Sequence, residues 1–206
     1  MTMDVRRHWD GVYGSKSFDE VSWYQPTPEC SLRHIQDVVT SKDAAIIDVG
    51  GGASTLVDNL LNVGFDDVTV LDICEDALKQ AQGRLGVRAD AVNWVVGDVR
   101  TFLTDRNFSV WHDRAVFHFL IDAEDRERYI EALGRALVPG GKLVLSTFGP
   151  EGPLKCSGLQ IRRYDLDMLM DLLGDGFELQ GHEFEDHETP GGAVQQFLYT
   201  SWTRKK

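Results

Sequence analysis

The stretch "IIDVGGGAST", Ile46 to Thr55, places an apolar run, one aspartate and three consecutive glycines within ten residues. A glycine loop directly after a strand-like run offers bare backbone to something charged and flat. Phosphate, a dinucleotide and a sulfonium nucleoside are the three candidates. Which of them the loop suits decides the reading of the whole chain.

Outward from the loop, "AAIIDV" is a continuous apolar run of strand length. Ser54 caps a helical pattern with Leu56, Leu60 and Leu61 on one side, which Gly64 stops. "DVTVLDI" is the next strand, followed by a helix through "EDALKQAQGRL"; "VNWVVGD" is the third strand, and "FSVWHDRAVFHFL" begins as the fourth. Asp122 opens a helix with Tyr129, Ile130, Leu133 and Leu137 at helical spacing, and "PGG" ends it before the strand "KLVLSTF". A helix over "DLDMLMDLLG" and two strands, "GFELQGHEF" and "VQQFLYTSW", close the chain. Strands alternating with helices predict an α/β, doubly wound fold whose mostly parallel sheet is covered on both faces. In such a sheet the ligand sits beyond the carboxyl ends of the strands, where the glycine loop lies.

With 206 residues, 42% hydrophobic and 26% charged, the chain is long enough to close one full core, and no linker or repeat divides it. Residues 1–206 are read as a single domain: an N-terminal segment over 1–28, a ligand-binding core over 44–148, and a loop, helix and closing hairpin over 149–206. Asp and Glu outnumber Lys and Arg by 33 to 21, giving a formal charge of -12. A nucleic acid would meet net repulsion, and the basic stretches "RTFLTDR", "IRR" and "RKK" are each short, so no nucleic-acid partner is expected. The opening "MTMDVRRHWD" lacks an apolar signal region, and nowhere do about 18 apolar residues run together, so a cytoplasmic protein without membrane contact is expected. Cys30, Cys74 and Cys156 have no CxxC spacing and read as free thiols.

The loop can now be matched to a ligand. A P-loop requires Gly-Lys followed by Ser or Thr, and no lysine stands between Lys42 and Lys79. The dinucleotide fingerprint finds Gly50 and Gly52 in place but Thr55 where a small residue is needed. Asp48 decides the matter, because a pyrophosphate in the loop would face its carboxylate. Two like charges about 4 Å apart at an effective dielectric near 20 repel by roughly 4 kcal/mol. For a ligand carrying an ammonium and a sulfonium the same interaction is attractive. Asp72 ends the second strand about 20 residues beyond the loop, where a carboxylate can take both ribose hydroxyls. Asp98 ends the third strand in "VVGDV", where its oxygen can accept from an adenine amino group while the Val99 amide donates to the ring.

At these residues the chain resembles the class I S-adenosylmethionine-dependent methyltransferases. The resemblance rests on "DVGGGAS", "LDICEDAL", "VVGDV" and "LVPGGKLVLSTF" in family order, over roughly Ala44 to Phe148. It implies a Rossmann-like sheet of seven strands with one C-terminal strand inserted antiparallel. It also implies S-adenosyl-L-methionine as cofactor, with Gly50, Gly51 and Gly52 in the loop, Asp72 and Ile73 at the ribose, and Asp98 and Val99 at the adenine. Ser54 stands where the family usually has a third glycine.

Two finer resemblances point to different acceptors. "VWHDRAVFHFL" followed by "DAEDRERYIEALGRALVPGG" is similar to the thiopurine methyltransferases; "HWDGVYGSKSFDEVSWYQ" is similar to the opening of small lysine methyltransferases acting on translation factors. The leading expectation is methylation of a small molecule at sulfur or another heteroatom, with a protein lysine as the second and a nucleoside-binding regulator without turnover as the third.

Direct displacement needs alignment and a dry site more than covalent groups. Arg114 could favour a thiolate acceptor, while Asp113, His112 or His118 could take a proton from an amine or hydroxyl; His118 reads equally as a core histidine. Trp23 and Tyr24 are expected as an aromatic lid over the sulfonium. Cys156 is expected in the acceptor-pocket wall, with Arg162 or Arg163 available to an anionic substrate. His182, Glu183, Glu185, Asp186 and His187 are read as a solvated hairpin face, and no metal site is expected.

Overall fold

The computed structural model describes residues 5–15 and 17–206. Met1 to Asp4 and Lys16, which belong to the N-terminal lid segment of the sequence reading, lie outside the described residues. The elements run α1 (Val5–Ser15), α2 (Glu29–Val38), β1 (Ile46–Val49), α3 (Leu56–Asn62), β2 (Val68–Asp72), α4 (Glu75–Leu85), β3 (Val92–Val96), β4 (Phe108–Arg114) and α5 (Ala123–Ala136). They continue with β5 (Leu137–Phe148), β6 (Lys155–Cys156), β7 (Leu159–Gln160), α6 (Leu166–Leu173), β8 (Phe177–Glu188) and β9 (Val194–Arg204).

The main sheet has seven strands in the order β3-β2-β1-β4-β5-β9-β8. β1 through β5 pair in parallel, and β9 lies antiparallel between β5 and β8, as the resemblance implies. Every residue of β1 and β2 is buried, because helices cover both faces. Successive side chains alternate between the layers. Ile47, Trp111 and Leu143 join Tyr129 of α5 and Leu169 of α6 on one side, whereas Ile46, Val68 and Val110 join Ile35 of α2 and Leu60 of α3 on the other. Each such fully buried side chain contributes about 1.5–3 kcal/mol. The strand order reverses between β1 and β4, so the crevice opens at the carboxyl end of β1. Among the described residues no helix is long and apolar enough to cross a membrane.

Three local expectations are corrected. Ser54 lies one position before the N-cap Thr55, although its hydroxyl does accept the Leu56 amide at 3.1 Å. "PGG" does not separate α5 from β5; it lies inside a strand that starts at Leu137, and Gly140 at φ +82 carries the irregularity where the β4 register shifts between Phe108 and Val110. The segment before Ala44 contains two helices that the sequence reading does not supply. α2 packs Leu32, Ile35 and Val38 against the core at helical spacing, a stripe broken by the buried Ser31 and His34.

Candidate active site

The loop after β1 is shaped by three glycines with different constraints. Gly50 and Gly52 adopt φ of +67 and +46, which L side chains rarely adopt. A Cβ on Gly51 would stand 2.5 Å from Asp48 Oδ2 and 2.7 Å from Val70 Cγ1; one on Gly52 would stand 2.8 Å from the Tyr13 hydroxyl and 3.0 Å from Asp72 Oδ2. The loop backbone is therefore pressed against both acids. Arg84, near the end of α4, holds it from behind: its guanidinium donates to the Ala53 and Ser54 carbonyls at 2.8 and 2.7 Å and pairs with Asp58.

Two cavities meet at Gly50, Trp23 and Arg114. The smaller, about 40 Å³, is polar on one side, where Asp48, His112, Ser31 and Thr55 stand, and is roofed by Phe18, Val21, Tyr24 and Gln25. The larger, about 610 Å³, runs along the ends of β2, β3 and β4 past Asp72, Ile73, Asp98 and Val99 to Cys156, Leu159 and Gln160.

Asp48 is buried and bonded to His112 Nδ1 at 2.7 Å. His112 Nε2 reaches the Ser31 hydroxyl at 3.0 Å, Ser31 meets the Tyr199 hydroxyl at 3.1 Å, and Tyr199 accepts from Arg114 Nε at 2.9 Å. Arg114 in turn donates to the Trp23 carbonyl at 3.1 Å. A continuous polar chain thus links the loop acid to the N-terminal segment.

Asp72 takes the Cys74 amide at 2.8 Å, and burial, with Asp48 nearby adding to it, pushes its carboxyl up to about 7 against its backbone donors. Such a group gains from a cation or hydroxyl donors placed beside it. Asp98 differs. Its carboxylate is held by Arg100, with Nη2 at 2.5 Å, and Arg100 also pairs with Asp125 at 2.8 Å. Burial works to raise the Asp98 pKa, but the Arg100 bonds outweigh it and the net shift is downward.

Trp23 borders both cavities and Tyr24 the smaller one. Trp23 is packed in a cluster of rings: Trp9 at 5.7 Å and Tyr13 at 6.1 Å, with Phe119 at 5.2 Å from Trp9. Val5, Trp9 and Tyr13, one face of α1, wall the larger cavity. Their i, i+4, i+8 spacing is the sequence signal for this face, and the mostly polar residues between them obscure it. Tyr13 and Val21 are buried, so this segment has a small core of its own.

Two candidate proton acceptors are placed elsewhere. Asp113 is fully buried; it accepts the Val116 amide at 2.9 Å and the Tyr129 hydroxyl at 2.7 Å, and burial raises it to about 6. It fixes the turn after β4 and borders neither cavity. His118 is also fully buried, accepts the Phe148 amide at 3.2 Å, and is driven down to about 3 by burial. The core-histidine reading describes it. Cys156 does border the larger cavity, whereas Arg162 lies over the Tyr164 ring and Arg163 donates to the Gly152 carbonyl.

The hairpin face is also corrected. Glu183, Glu185 and His187 turn inward beneath the N-terminal segment: Glu183 meets His34 at 2.6 Å and Arg33 at 2.7 Å, Glu185 takes Gln25 at 2.9 Å, and His187 meets the Ser22 carbonyl at 2.7 Å. Cys30, His34 and Glu183 are close enough together to hold a metal ion. Arg33 already places its guanidinium against both Glu183 and Cys30, and burial pushes the Cys30 thiol up to about 12. A cation is in place, and the thiolate a metal requires is disfavoured.

A methyltransferase-domain profile matches residues 47–145. The eEF1A lysine and N-terminal methyltransferase of Mus musculus is 23% identical over 92% of this chain, which spans 30% of that protein's length. Among solved structures, Burkholderia thailandensis 1,6-didemethyltoxoflavin-N1-methyltransferase, with its substrate and S-adenosylhomocysteine bound, superposes with TM-score 0.75 at 17% identity, covering 100% of this chain and 91% of that one. A structure from work on conversion of a disulfide bond into a thioacetal group during echinomycin biosynthesis gives TM-score 0.78 at 17% identity, covering 97% and 93%.

Proposed function

We propose that this chain is a class I S-adenosylmethionine-dependent methyltransferase that transfers the methyl group to a heteroatom of a small molecule held in the larger cavity. The cofactor supplies an electrophilic methyl on a sulfonium. The chain's residues fit it: Gly50 to Gly52 press bare backbone against two acids, and the strand ends carry the donors and acceptors a nucleoside needs. Asp48, steadied by His112, receives the ammonium. Asp72 and Ile73 hold the ribose, Asp98 and Val99 the adenine, and Trp23 and Tyr24 close over the sulfonium. Asp113 acts only through the turn it fixes, and Arg114 faces the acceptor.

The observation that carries a small acceptor is the cavity itself. At about 610 Å³ it has the volume of a site for one drug-sized ligand, and the cofactor's nucleoside takes much of it. Trp9, Trp23 and Phe119 roof what remains, which suits a compact, flat molecule. The compartment beside Asp48, about 40 Å³, is small for the cofactor's amino-acid end, and a lift of Phe18 to Gln25 would admit it before the segment closes again. Three buried free thiols suit a reducing cytoplasm.

A protein lysine is the second reading, supported by the lysine methyltransferase relatives and by the similarity of the N-terminal segment. Incubation with labelled S-adenosylmethionine and a fractionated cell extract separates the two. Label in a small molecule other than S-adenosylmethionine and its breakdown products, formed only when the protein is added, supports the proposal; protein-dependent label confined to polypeptide supports the alternative.

A further inference from the structure

We propose that Tyr199 is a positioning residue: its hydroxyl completes a one-way hydrogen-bond relay from Arg114 to Asp48 that couples capture of the cofactor's ammonium to docking of residues 22–25. This rests on the reading above, in which Asp48 receives the ammonium. Three observations carry it.

The first is the direction of the polar chain. A guanidinium can only donate and a carboxylate can only accept, so both ends are fixed. Asp48 Oδ1 lies 2.7 Å from His112 Nδ1, which therefore carries the proton. With a neutral imidazole, Nε2 accepts from Ser31 at 3.0 Å, Ser31 accepts from Tyr199 at 3.1 Å, and Tyr199 accepts from Arg114 Nε at 2.9 Å. Every hydroxyl hydrogen in the chain is then used. An imidazolium would turn Ser31 round and leave the buried Tyr199 hydrogen without an acceptor among the described residues. Aligned hydrogen bonds polarise one another, so a charge placed at one end is felt at the other.

The second is what stands at each end. The buried Asp48 carboxylate meets a neutral ring, and the cofactor's ammonium brings the positive charge. At the far end Arg114 Nη1 donates to the Trp23 carbonyl at 3.1 Å, and Nη2 is ion-paired with Glu185 at 3.8 Å. Glu185 takes the Gln25 side-chain amide at 2.9 Å, and the Thr55 hydroxyl, just past the glycine loop, donates to the Gln25 carbonyl at 2.7 Å. His187 meets the Ser22 carbonyl at 2.7 Å. Arg114 thus stands in the middle of the contacts that pin residues 22–25. Coupling is reciprocal: what the bound ammonium does for the segment, the docked segment does for the ammonium.

The third is the place of Tyr199 itself. It is fully buried and borders neither cavity, so it lies out of a ligand's reach. Its ring stacks on His34, with centroids 5.4 Å apart, and shares a core cluster with Phe148 and Phe197. A phenylalanine there keeps this packing and removes the relay's middle link alone.

The test compares full-length wild type and Tyr199→Phe on two ligands: S-adenosylhomocysteine and its deaminated analogue, which has hydrogen in place of the ammonium. Affinity is read by calorimetry, and protection of residues 22–25 by hydrogen exchange at saturating ligand. The variant should bind S-adenosylhomocysteine at least about threefold more weakly and the analogue within about twofold of wild type, since only the first brings an ammonium to Asp48. In wild type S-adenosylhomocysteine should protect residues 22–25 more than the analogue does, and that excess should shrink in the variant. Equal weakening of both ligands, undiminished S-adenosylhomocysteine affinity, equal protection by the two ligands in wild type, or an excess that the variant keeps in full would overturn the inference. If Tyr199→Phe folds poorly, Ser31→Ala breaks the same relay and carries the same expectations and the same failures. Wild-type protein that binds S-adenosylhomocysteine no more tightly than the analogue would instead strike the reading beneath it.

Discussion

The two halves of the crevice are built by different means. Along β2 and β3 the acids at the strand ends are fixed mainly by neighbours close in sequence, Asp72 by the Cys74 amide and Asp98 by Arg100, and the loop after β1 is shaped by its own glycine conformations, while Asp48 is held across the sheet by His112. Along the opposite rim nearly every contact joins distant parts of the chain. Trp9 meets Phe119, Arg114 meets Tyr199 and the Trp23 carbonyl, and Gln25 meets Glu185. The first half is a property of one stretch of sheet, and the second forms only when three segments come together. The cofactor half should therefore resist local opening better than the acceptor half.

The largest expected effect belongs to the locally built half. Asp72→Ala removes up to two charge-assisted hydrogen bonds, each about 1.5–3 kcal/mol, so S-adenosylhomocysteine affinity should fall at least tenfold by calorimetry. Because burial raises the Asp72 carboxyl to about 7 from 3.8, its ionised form is disfavoured by folding. Its contribution to stability should decline as pH rises from about 4 to about 7, while binding to the carboxylate should strengthen over the same window. Affinity independent of pH between 5 and 8 would remove Asp72 from the ribose.

A smaller, differently divided effect is expected from Trp9→Ala. Its ring roofs the acceptor side, so turnover should fall several-fold more than S-adenosylhomocysteine affinity. Equal losses in both would merge the two halves into one unit.

The smallest effect concerns the hairpin that supports the N-terminal segment. The Arg33 hydrogen bond holds Glu183 down to about 2, against an ordinary value of 4.5. That contribution is fully present above pH 4.5 and is lost as pH falls through about 2. Glu183 is partly exposed, so Glu183→Gln should shift the melting temperature only slightly at pH 7, and the difference should vanish in strong acid. A difference that grew on acidification would reverse the assignment.

The same contrast explains what could be read from sequence. The placing of Asp48, Asp72 and Asp98 at the strand ends was legible because strand length and glycine position fix where a strand end falls. The direction in which Asp113 turns was not, since one residue along a strand exchanges core for crevice, and His118 lies in a short helical turn after β4 whose sense no local pattern supplies. Trp9 and Tyr13 had helical spacing, but their face is completed by Trp23 and Phe119, which no local pattern supplies. The inward Glu183 and Glu185 read as solvated because the partners that bury them, Arg33, His34 and Gln25, lie about 150 residues away.

The central claim, a preformed row of strand ends over which the N-terminal segment closes, is tested most directly by hydrogen exchange on the full chain with and without S-adenosylhomocysteine. Protection should rise strongly across residues 5–28, which close over the 40 Å³ compartment, and should change little in β1 and β2. Equal protection of residues 5–28 in the two states would contradict it and make that segment ordinary core.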